Sequence, residues 1–459
     1  MPPAALVTAG TGGTLMVSVS GVRGIVGKDL TPEFVTRWAA AFGALARDEG
    51  APLVVLARDA RTSGPMFSDA ARSGLQSVGC TVIDCGCIPT PTAQLAVEHH
   101  GAGGGIILTA SHNPIEWNAL KFVGADGLFL DQGAAGRLRS LAEGTVPRVG
   151  WDGLGGQRDD GDAIERHLRQ VLALPYVDRK AIAARRFRVA LDCVRGAGGT
   201  IMPRLLERLG CTVSGINLET DGRFPRAPEP IPEHLGDLGA LVRESGADLG
   251  IAVDPDVDRL ALVDETGRPI GEDYTLAFAV DTVLRRRSGP VVVNLSTSLV
   301  VDDAAAAHGA TVTRVPVGEA NVARAMRQAS AVVGGEGNGG VMLPALHLGR
   351  DAPLAAALVL DLVATGTRPL SAWVAARPRY TIVKAKAPRG ADLAALYEAL
   401  ETRFRDATQD RQDGLRLSWP DRWLHVRPSG TEPIVRIIAE APTADAAESL
   451  VTACRETLV

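Results

Sequence analysis

The chain has 459 residues, a formal net charge of −5 and an apolar fraction of 46%, enough for about three or four domains with sizeable cores. Aromatic residues make up only 4% and the isoelectric point is near 6.0, which argues against a stacking surface or a basic footprint for nucleic acid. Cys80, Cys85, Cys87, Cys193, Cys211 and Cys454 lack metal-knuckle spacing and read as reduced thiols, and with no basic leader and no membrane-length apolar run the expectation is a cytoplasmic protein without a membrane partner.

In chain order, an apolar run at 53–56 predicts a strand, followed by a helix over about 64–79 and a second strand opening at Gly79-Cys-Thr-Val82. Gly105-Ile-Ile-Leu108 reads as a buried strand that breaks into Thr109-Ala-Ser111-His112-Asn113-Pro114. Asn-Pro marks a turn, so Ser111 stands at a strand end, where open α/β sheets put their chemistry. A hydroxyl there is a nucleophile, a phosphate carrier or a loop cap. The same order of elements returns twice. Phe187-Arg-Val-Ala-Leu191 leads to Gly210-Cys-Thr-Val213 and then to an acidic loop at Asp254. Val291-Val-Val293 leads to Gly309-Ala-Thr-Val312 and then to a Gly-rich loop at Glu336.

Strands alternating with helices imply βαβ units. Breaks at 146–162, after 264–267 and at 366–379 divide the chain into domains at 1–160, 161–267, 268–370 and 371–459. The last segment mixes short strands and helices without that rhythm, its closing helix capped by Thr443. The expected fold class is α/β: three related α/β domains with mixed, largely parallel sheets, plus a C-terminal α+β domain.

Three loops carry chemistry beyond Ser111. Asp254-Pro-Asp256-Val-Asp258-Arg259 follows the strand at 249–253. Carboxylates brought together there would repel by about 4 kcal/mol per pair at 4 Å and an effective dielectric of 20, so convergence needs a cation. Oxygen-only ligands suit Mg²⁺ or Ca²⁺, and a trio with room for a phosphate oxygen favours Mg²⁺. An EF-hand is excluded, because its sixth position requires Gly and here is Arg259, and because 260–263 reads as a strand. In Gly334-Gly-Glu336-Gly-Asn338-Gly-Gly340 the glycines permit close backbone approach, while Glu336 and Asn338 suit sugar hydroxyls. Arg427-Pro-Ser429-Gly430-Thr431-Glu432-Pro433 offers a guanidinium, two hydroxyls and flexible backbone, a cradle for a phosphate dianion.

Together these loops resemble the α-D-phosphohexomutase superfamily, over nearly the whole chain. Ser18-Val-Ser-Gly21-Val-Arg23-Gly24-Ile25 is similar to the family's N-terminal arginine segment, and Ala57-Arg58-Asp59-Ala-Arg61-Thr-Ser63 and Asp221-Gly-Arg-Phe224-Pro225 to further landmarks. The resemblance implies four domains around a central cleft and a mobile C-terminal one. It implies that Ser111 is carried as phosphoserine, with Mg²⁺ held by Ser111, Asp254, Asp256 and Asp258, and a hexose 1,6-bisphosphate as intermediate and activator. Lys121 is then the general acid/base, Arg23 and Arg259 neutralise the transferred phosphoryl group, and His112 flanks the nucleophile. Arg427, Ser429, Gly430 and Thr431 hold the other phosphate; Glu336 and Asn338 read the sugar. Bacterial relatives often close the sugar loop with Ser-Gly-His, whereas this chain has Asn338-Gly339-Gly340, with His347 in the following segment a candidate for the missing histidine.

The leading expectation is a Mg²⁺-dependent mutase moving phosphate between C6 and C1 of glucosamine phosphate, with mannose or glucose phosphates next. Its partner is a small phosphosugar and its state a monomer or homodimer. Two other classes compete: a serine hydrolase using Ser111 and His112, and a non-catalytic sugar-phosphate sensor. The hydrolase elbow needs glycines where Thr109 and Asn113 stand. A sensor should have lost the serine, a carboxylate or Lys121, and none is missing.

Overall fold

The computed structural model describes residues 15–18, 21–388, 392–429 and 434–458. The first sheet contains β1 (Met16–Ser18), β2 (Gly21–Ile25), β3 (Leu53–Arg58), β4 (Thr81–Cys87), β5 (Gly104–Leu108), β6 (Trp117–Gly124) and β7 (Gln157–Asp159), in the order β1-β2-β6-β5-β3-β4-β7. The second, from β8 (Arg188–Asp192), β9 (Thr212–Ile216), β10 (Leu249–Val253) and β11 (Leu260–Val263), runs β11-β10-β8-β9. The third, from β12 (Val291–Asn294), β13 (Val312–Val315), β14 (Val333–Glu336) and β15 (Gly340–Met342), runs β13-β12-β14-β15.

These sheets share one plan. The first strand of each unit (β3, β8, β12) pairs in parallel with the second and third, and a fourth strand returns antiparallel to the third. The threefold repeat expected from the sequence is therefore a repeat of topology. Its consequence is positional: the loops bearing Ser111, the aspartate trio and Asn338 all follow the third strand of their units.

The fourth sheet is antiparallel throughout. It comprises β16 (Thr381–Pro388), β17 (Thr408–Asp410), β18 (Leu415–Ser418), β19 (Trp423–Pro428) and β20 (Ile434–Ala441), ordered β16-β20-β19-β18-β17. Helices Leu393–Arg403 and Ala444–Thr457 pack against it. Thr443 caps the second, its Oγ1 accepting from Ala446 N at 3.3 Å.

Two helices, Asp273–Leu284 and Ala352–Gly366, are apolar on almost every face and lie in the core shared by the second and third sheets. Asp351 caps the latter by accepting from Leu354 N at 2.8 Å, and Pro353 occupies its first turn. The stretches expected as linkers hold more structure than their composition suggests. β7 lies within 146–162 and pairs in parallel with β4, and 366–379 contains the helix Leu370–Ala375, which buries Trp373. No helix among the described residues is long and apolar enough to cross a membrane, and none of the six cysteines is paired.

Candidate active site

The serine loop is shaped by a buried arginine. Arg61, with no exposed surface, donates from Nη2 to the carbonyls of Ser111 and Asn113, both at 2.7 Å, and from Nη1 to those of Pro114 and Trp117 at 2.7 and 2.9 Å. Its Nε donates to Asp59 Oδ2 at 3.1 Å, so all five guanidinium hydrogens are committed. Thr109 Oγ1 donates to the same carboxylate at 2.7 Å and accepts from Ser111 N at 2.9 Å. The chain is thereby held in a left-handed turn at Ser111, φ 49°, a conformation that a non-glycine residue adopts only when its surroundings impose it.

That turn aims the hydroxyl at the acidic loop. Ser111 Oγ donates to Asp254 Oδ2 at 2.9 Å, joining the first and second sheets. Asp254, Asp256 and Asp258 are each fully buried, with one oxygen apiece lying within 4.8 Å of the others. They form the one such group of three or more potential metal-binding side chains among the described residues. Their loop contains Val257 at φ 64°, an outlier for a β-branched residue.

The outer oxygens of the trio are engaged. Lys121 Nζ and Thr90 Oγ1 donate to Asp256 Oδ2 at 2.7 and 2.8 Å, and Arg350 Nη2 to Asp258 Oδ2 at 2.5 Å. Asp256 Oδ1 and Asp258 Oδ1 are buried without a hydrogen-bond partner. Burial, with the charges of Asp258 and Asp256, pushes the Asp254 carboxyl well above its ordinary range. Burial is the largest influence on Asp256 and opposes its ionisation, but the Lys121 charge together with hydrogen bonds from Asp254, Lys121 and Thr90 outweighs it and holds that carboxyl low. Buried, mutually repelling carboxylates with orphaned oxygens are a fitting donor set for a hard divalent cation.

Positive groups rim the trio. Arg23 Nη1 donates to Asn113 Oδ1 at 2.7 Å; burial and then the Arg259 charge lower its basicity. Arg259 Nη1 donates to Glu229 Oε1 at 3.1 Å, and its Nε, without a hydrogen bond, lies 3.7 Å from Asp258 Oδ1. His112 is held neutral: the Arg259 charge, burial and the Arg23 charge all push its pKa well below the imidazole range. Its Nδ1 is buried without a partner while the serine hydroxyl is given to Asp254. A serine hydrolase requires a serine–histidine hydrogen bond, so that alternative is set aside.

In the Gly-rich loop Glu336 Oε1 accepts from Asn294 Nδ2 and Gly318 N at 2.9 and 3.0 Å, and its Oε2 from Arg350 Nη1 at 2.9 Å. Asn338 Oδ1 is buried and unpartnered. Gly339, at φ 87°, brings the loop onto the metal loop: its carbonyl accepts from Leu260 N at 3.1 Å, and a Cβ there would lie 2.3 Å from Leu260 O. His347 does not supply the histidine missing from this loop. Its Nδ1 accepts from Gly349 N and its Nε2 donates to Asp351, so both ring nitrogens are spent. Arg427 makes a long ion pair with Asp413, 3.8 Å, feels the Glu336 charge, and leaves Nε unpartnered. Ser429 is buried beside it; Gly430 and Thr431 lie outside the described residues.

Sequence reasoning assigned no role to Arg61, Thr90 or Arg350. Of these Arg61 and Arg350 stood in stretches that drew notice, the latter beside His347, and nothing local marks either as buried.

Comparison with known proteins identifies the family. Models of the phosphoglucomutase/phosphomannomutase alpha/beta/alpha domains I, II and III match residues 15–145, 165–267 and 271–380, and that of the C-terminal domain matches 382–457. A Thermococcus kodakarensis protein named phosphoglucomutase/phosphomannomutase is 40% identical over 436 residues, 93% of this chain and 94% of its own. A Methanopyrus kandleri protein named "Probable phosphoglucosamine mutase" is 37% identical over 94% of this chain and 95% of its own. The crystal structure of a phosphoglucomutase/phosphomannomutase family protein from Burkholderia thailandensis superposes with a TM-score of 0.84 at 26% identity, covering 96% of each chain. An Aspergillus fumigatus N-acetylphosphoglucosamine mutase, solved with GlcNAc-6P and magnesium, shares the fold at a TM-score of 0.58 and 15% identity, covering 96% of this chain and 95% of its own.

Fold and matches together define an enzyme of the isomerase class, a mutase. The chain belongs to the phosphoglucomutase/phosphomannomutase family, the phosphohexomutases. That family is generally Mg²⁺-dependent, and the aspartate trio fits such an ion.

Proposed function

We propose that this enzyme moves a phosphoryl group between C6 and C1 of a hexose by way of phosphorylated Ser111, with glucosamine phosphate as its substrate. The observation that carries the reading is the 2.9 Å bond from Ser111 Oγ into a buried aspartate trio with two orphaned oxygens. Ser111, Asp254, Asp256 and Asp258 are the residues that would hold Mg²⁺, which when bound neutralises phosphoryl oxygens and orients an in-line displacement.

In the first transfer the phosphorus–oxygen bond to Ser111 Oγ breaks as a sugar hydroxyl oxygen forms its own, giving the hexose 1,6-bisphosphate. The bisphosphate turns in the cleft and returns its other phosphoryl group to Ser111. Lys121 passes the proton between the reacting oxygens, and Arg23 and Arg259 offset the charge in transfer. His112, neutral beside the nucleophile, acts only through hydrogen bonding. Arg427, Ser429, Gly430 and Thr431 hold the phosphate not in transfer. A carboxylate has about four acceptor sites, so Glu336, with three donors already, has one to offer the sugar beside the free Asn338 Oδ1.

The Methanopyrus kandleri relative supports glucosamine phosphate. The Thermococcus kodakarensis relative favours a second reading, glucose or mannose phosphates. Intact-mass analysis should find part of the purified protein heavier by one phosphate, and none of the Ser111→Ala variant, which should not turn over. Unmodified protein that works without added bisphosphate would refute the carrier role. Side-by-side assays of glucosamine, glucose and mannose 6-phosphates should give the highest kcat/KM for the first; a preference for either of the others transfers the assignment to it.

A further inference from the structure

Arg350 is 7% exposed and makes three ion pairs with three different elements. Its Nη2 donates to Asp258 Oδ2 on the metal loop at 2.5 Å, and its Nη1 to Glu336 Oε2 at the end of β14 at 2.9 Å. Its Nε donates to Glu319 Oε2, in the first turn of the helix Glu319–Gln328, at 3.0 Å. Glu319 Oε1 in turn accepts from Gln94 Nε2 at 3.1 Å, on the helix Thr90–His100 of the first domain. One guanidinium thus connects the metal loop to the sugar loop and, through Glu319, to the domain that carries Ser111.

The turn presenting Arg350 is itself braced. Asp351 N donates to Val341 O at 2.9 Å, while Asp351 Oδ2 accepts from His347 Nε2 and His167 Nε2 at 2.9 and 2.8 Å. Room for the arginine stem comes from position 340. A Cβ on Gly340 would lie 2.3 Å from Arg350 Cδ and 2.9 Å from its Cγ. A side chain at 340 and the stem of Arg350 compete for one volume.

We propose that Arg350 is a positioning residue that fixes the metal loop and the sugar loop in one register, and that Gly340 is the residue that admits it. By holding Asp258 Oδ2 it leaves Asp258 Oδ1, which has no hydrogen bond and lies 3.7 Å from Arg259 Nε, to the cation, and by holding Glu336 it sets the loop on which Asn338 is carried. The role depends on a rigid planar fork, which a lysine ammonium does not reproduce. The inference rests on the reading of the trio as a cation site. Partners that orient metal ligands typically contribute tenfold to a hundredfold to metal affinity.

The test is direct Mn²⁺ binding, read from the electron paramagnetic resonance of the free ion, on wild type and Arg350→Lys matched for phosphoserine content. Arg350→Lys should fold, bind Mn²⁺ at least tenfold more weakly, and show a raised KM for the sugar phosphate along with a lower kcat. A role in charge balance alone would be rescued by lysine, so wild-type Mn²⁺ affinity and KM in folded Arg350→Lys overturn the proposal. Should that variant not be recovered folded, Gly340→Ala serves instead, because it displaces the arginine stem without changing any charge. Weakened Mn²⁺ binding there supports the proposal and unchanged binding overturns it. A wild type that takes up no Mn²⁺ would instead overturn the cation site itself, so the two failures are distinguishable.

Discussion

Two walls of the site, one bearing Ser111 and the aspartate trio and the other Asn338 and Arg427, are built to different rules. Around Ser111 the backbone and the carboxylates are held by internal partners: Arg61 spends four hydrogens on the carbonyls of the serine loop and the fifth on Asp59, and Lys121, Thr90 and Arg350 hold Asp256 Oδ2 and Asp258 Oδ2. What remains without a hydrogen bond there is Asp256 Oδ1 and Asp258 Oδ1, fitting donors for a cation, together with His112 Nδ1 and Arg259 Nε beside them. In the second wall, Asn338 Oδ1 and Arg427 Nε are buried with no hydrogen-bond partner, and the ion pair of Arg427 with Asp413 is 3.8 Å long. One wall is preorganised by the protein; the other keeps valences that a ligand completes. On the proposed reading this is the division a mutase needs, since the reacting centre must stay fixed while the intermediate turns.

The contrast breaks most severely at Arg61. Arg61→Lys keeps the charge but has three donors for five acceptors. Each buried carbonyl left without a donor costs about 1–3 kcal/mol. Relaxation of the Ser111 turn should then lower kcat by about 100-fold, with KM for the sugar phosphate little altered. Steady-state kinetics beside a thermal melt would decide it; a variant with wild-type kcat would mean that the four-carbonyl clamp does not set the nucleophile.

The same two walls differ in how plainly the sequence announces them. Ser111 and the aspartate trio are legible because each sits in a short polar loop bracketed by apolar strands, a pattern that locates them at a strand end before any fold is known. Arg61 and Arg350 are not legible. A buried arginine has the same local sequence character as exposed ones such as Arg137, and its burial depends on carbonyls or carboxylates elsewhere in the chain. Gly340 shows the same limit from the other side: read alone it is a lost histidine, and only the fold shows what occupies the space. Nor does Gln157-Arg-Asp159, with no apolar residue, signal a strand; its pairing with β4 supplies the reason.

On the open wall, Arg427→Ala should act on binding more than on chemistry. Loss of charge-assisted hydrogen bonds worth about 1.5–3 kcal/mol each predicts a KM for the sugar phosphate raised about tenfold to a hundredfold, with a smaller fall in kcat. Product-inhibition constants should rise in parallel, because the same arginine would hold either phosphate. A kcat effect with unchanged KM would place Arg427 on the chemical wall and erase the contrast.

The mildest effect on activity is expected where the open wall is fastened, and it is read as stability. His425 on β19 is buried between Ser296 of the third domain, whose Oγ lies 2.9 Å from Nδ1, and the carbonyl of Asp413, to which its Nε2 donates at 2.7 Å. Asp413 also accepts from Val317 N at 3.2 Å and faces Arg427. Burial drives the imidazole pKa from 6.5 down to about 4, despite the Asp413 carbonyl and carboxylate that favour the charged form. A folded-state value below the unfolded one means that the contribution is fully present above pH 6.5 and is lost as pH falls toward 4, where the unfolded chain takes a proton the folded one refuses. At 1.36 kcal/mol per unit the whole interval amounts to about 3 kcal/mol. Urea unfolding at stepped pH should therefore show a steeper loss of stability through this interval in wild type than in His425→Gln. Parallel profiles would mean that His425 titrates alike in both states, and that the fourth domain is fastened without regard to its charge.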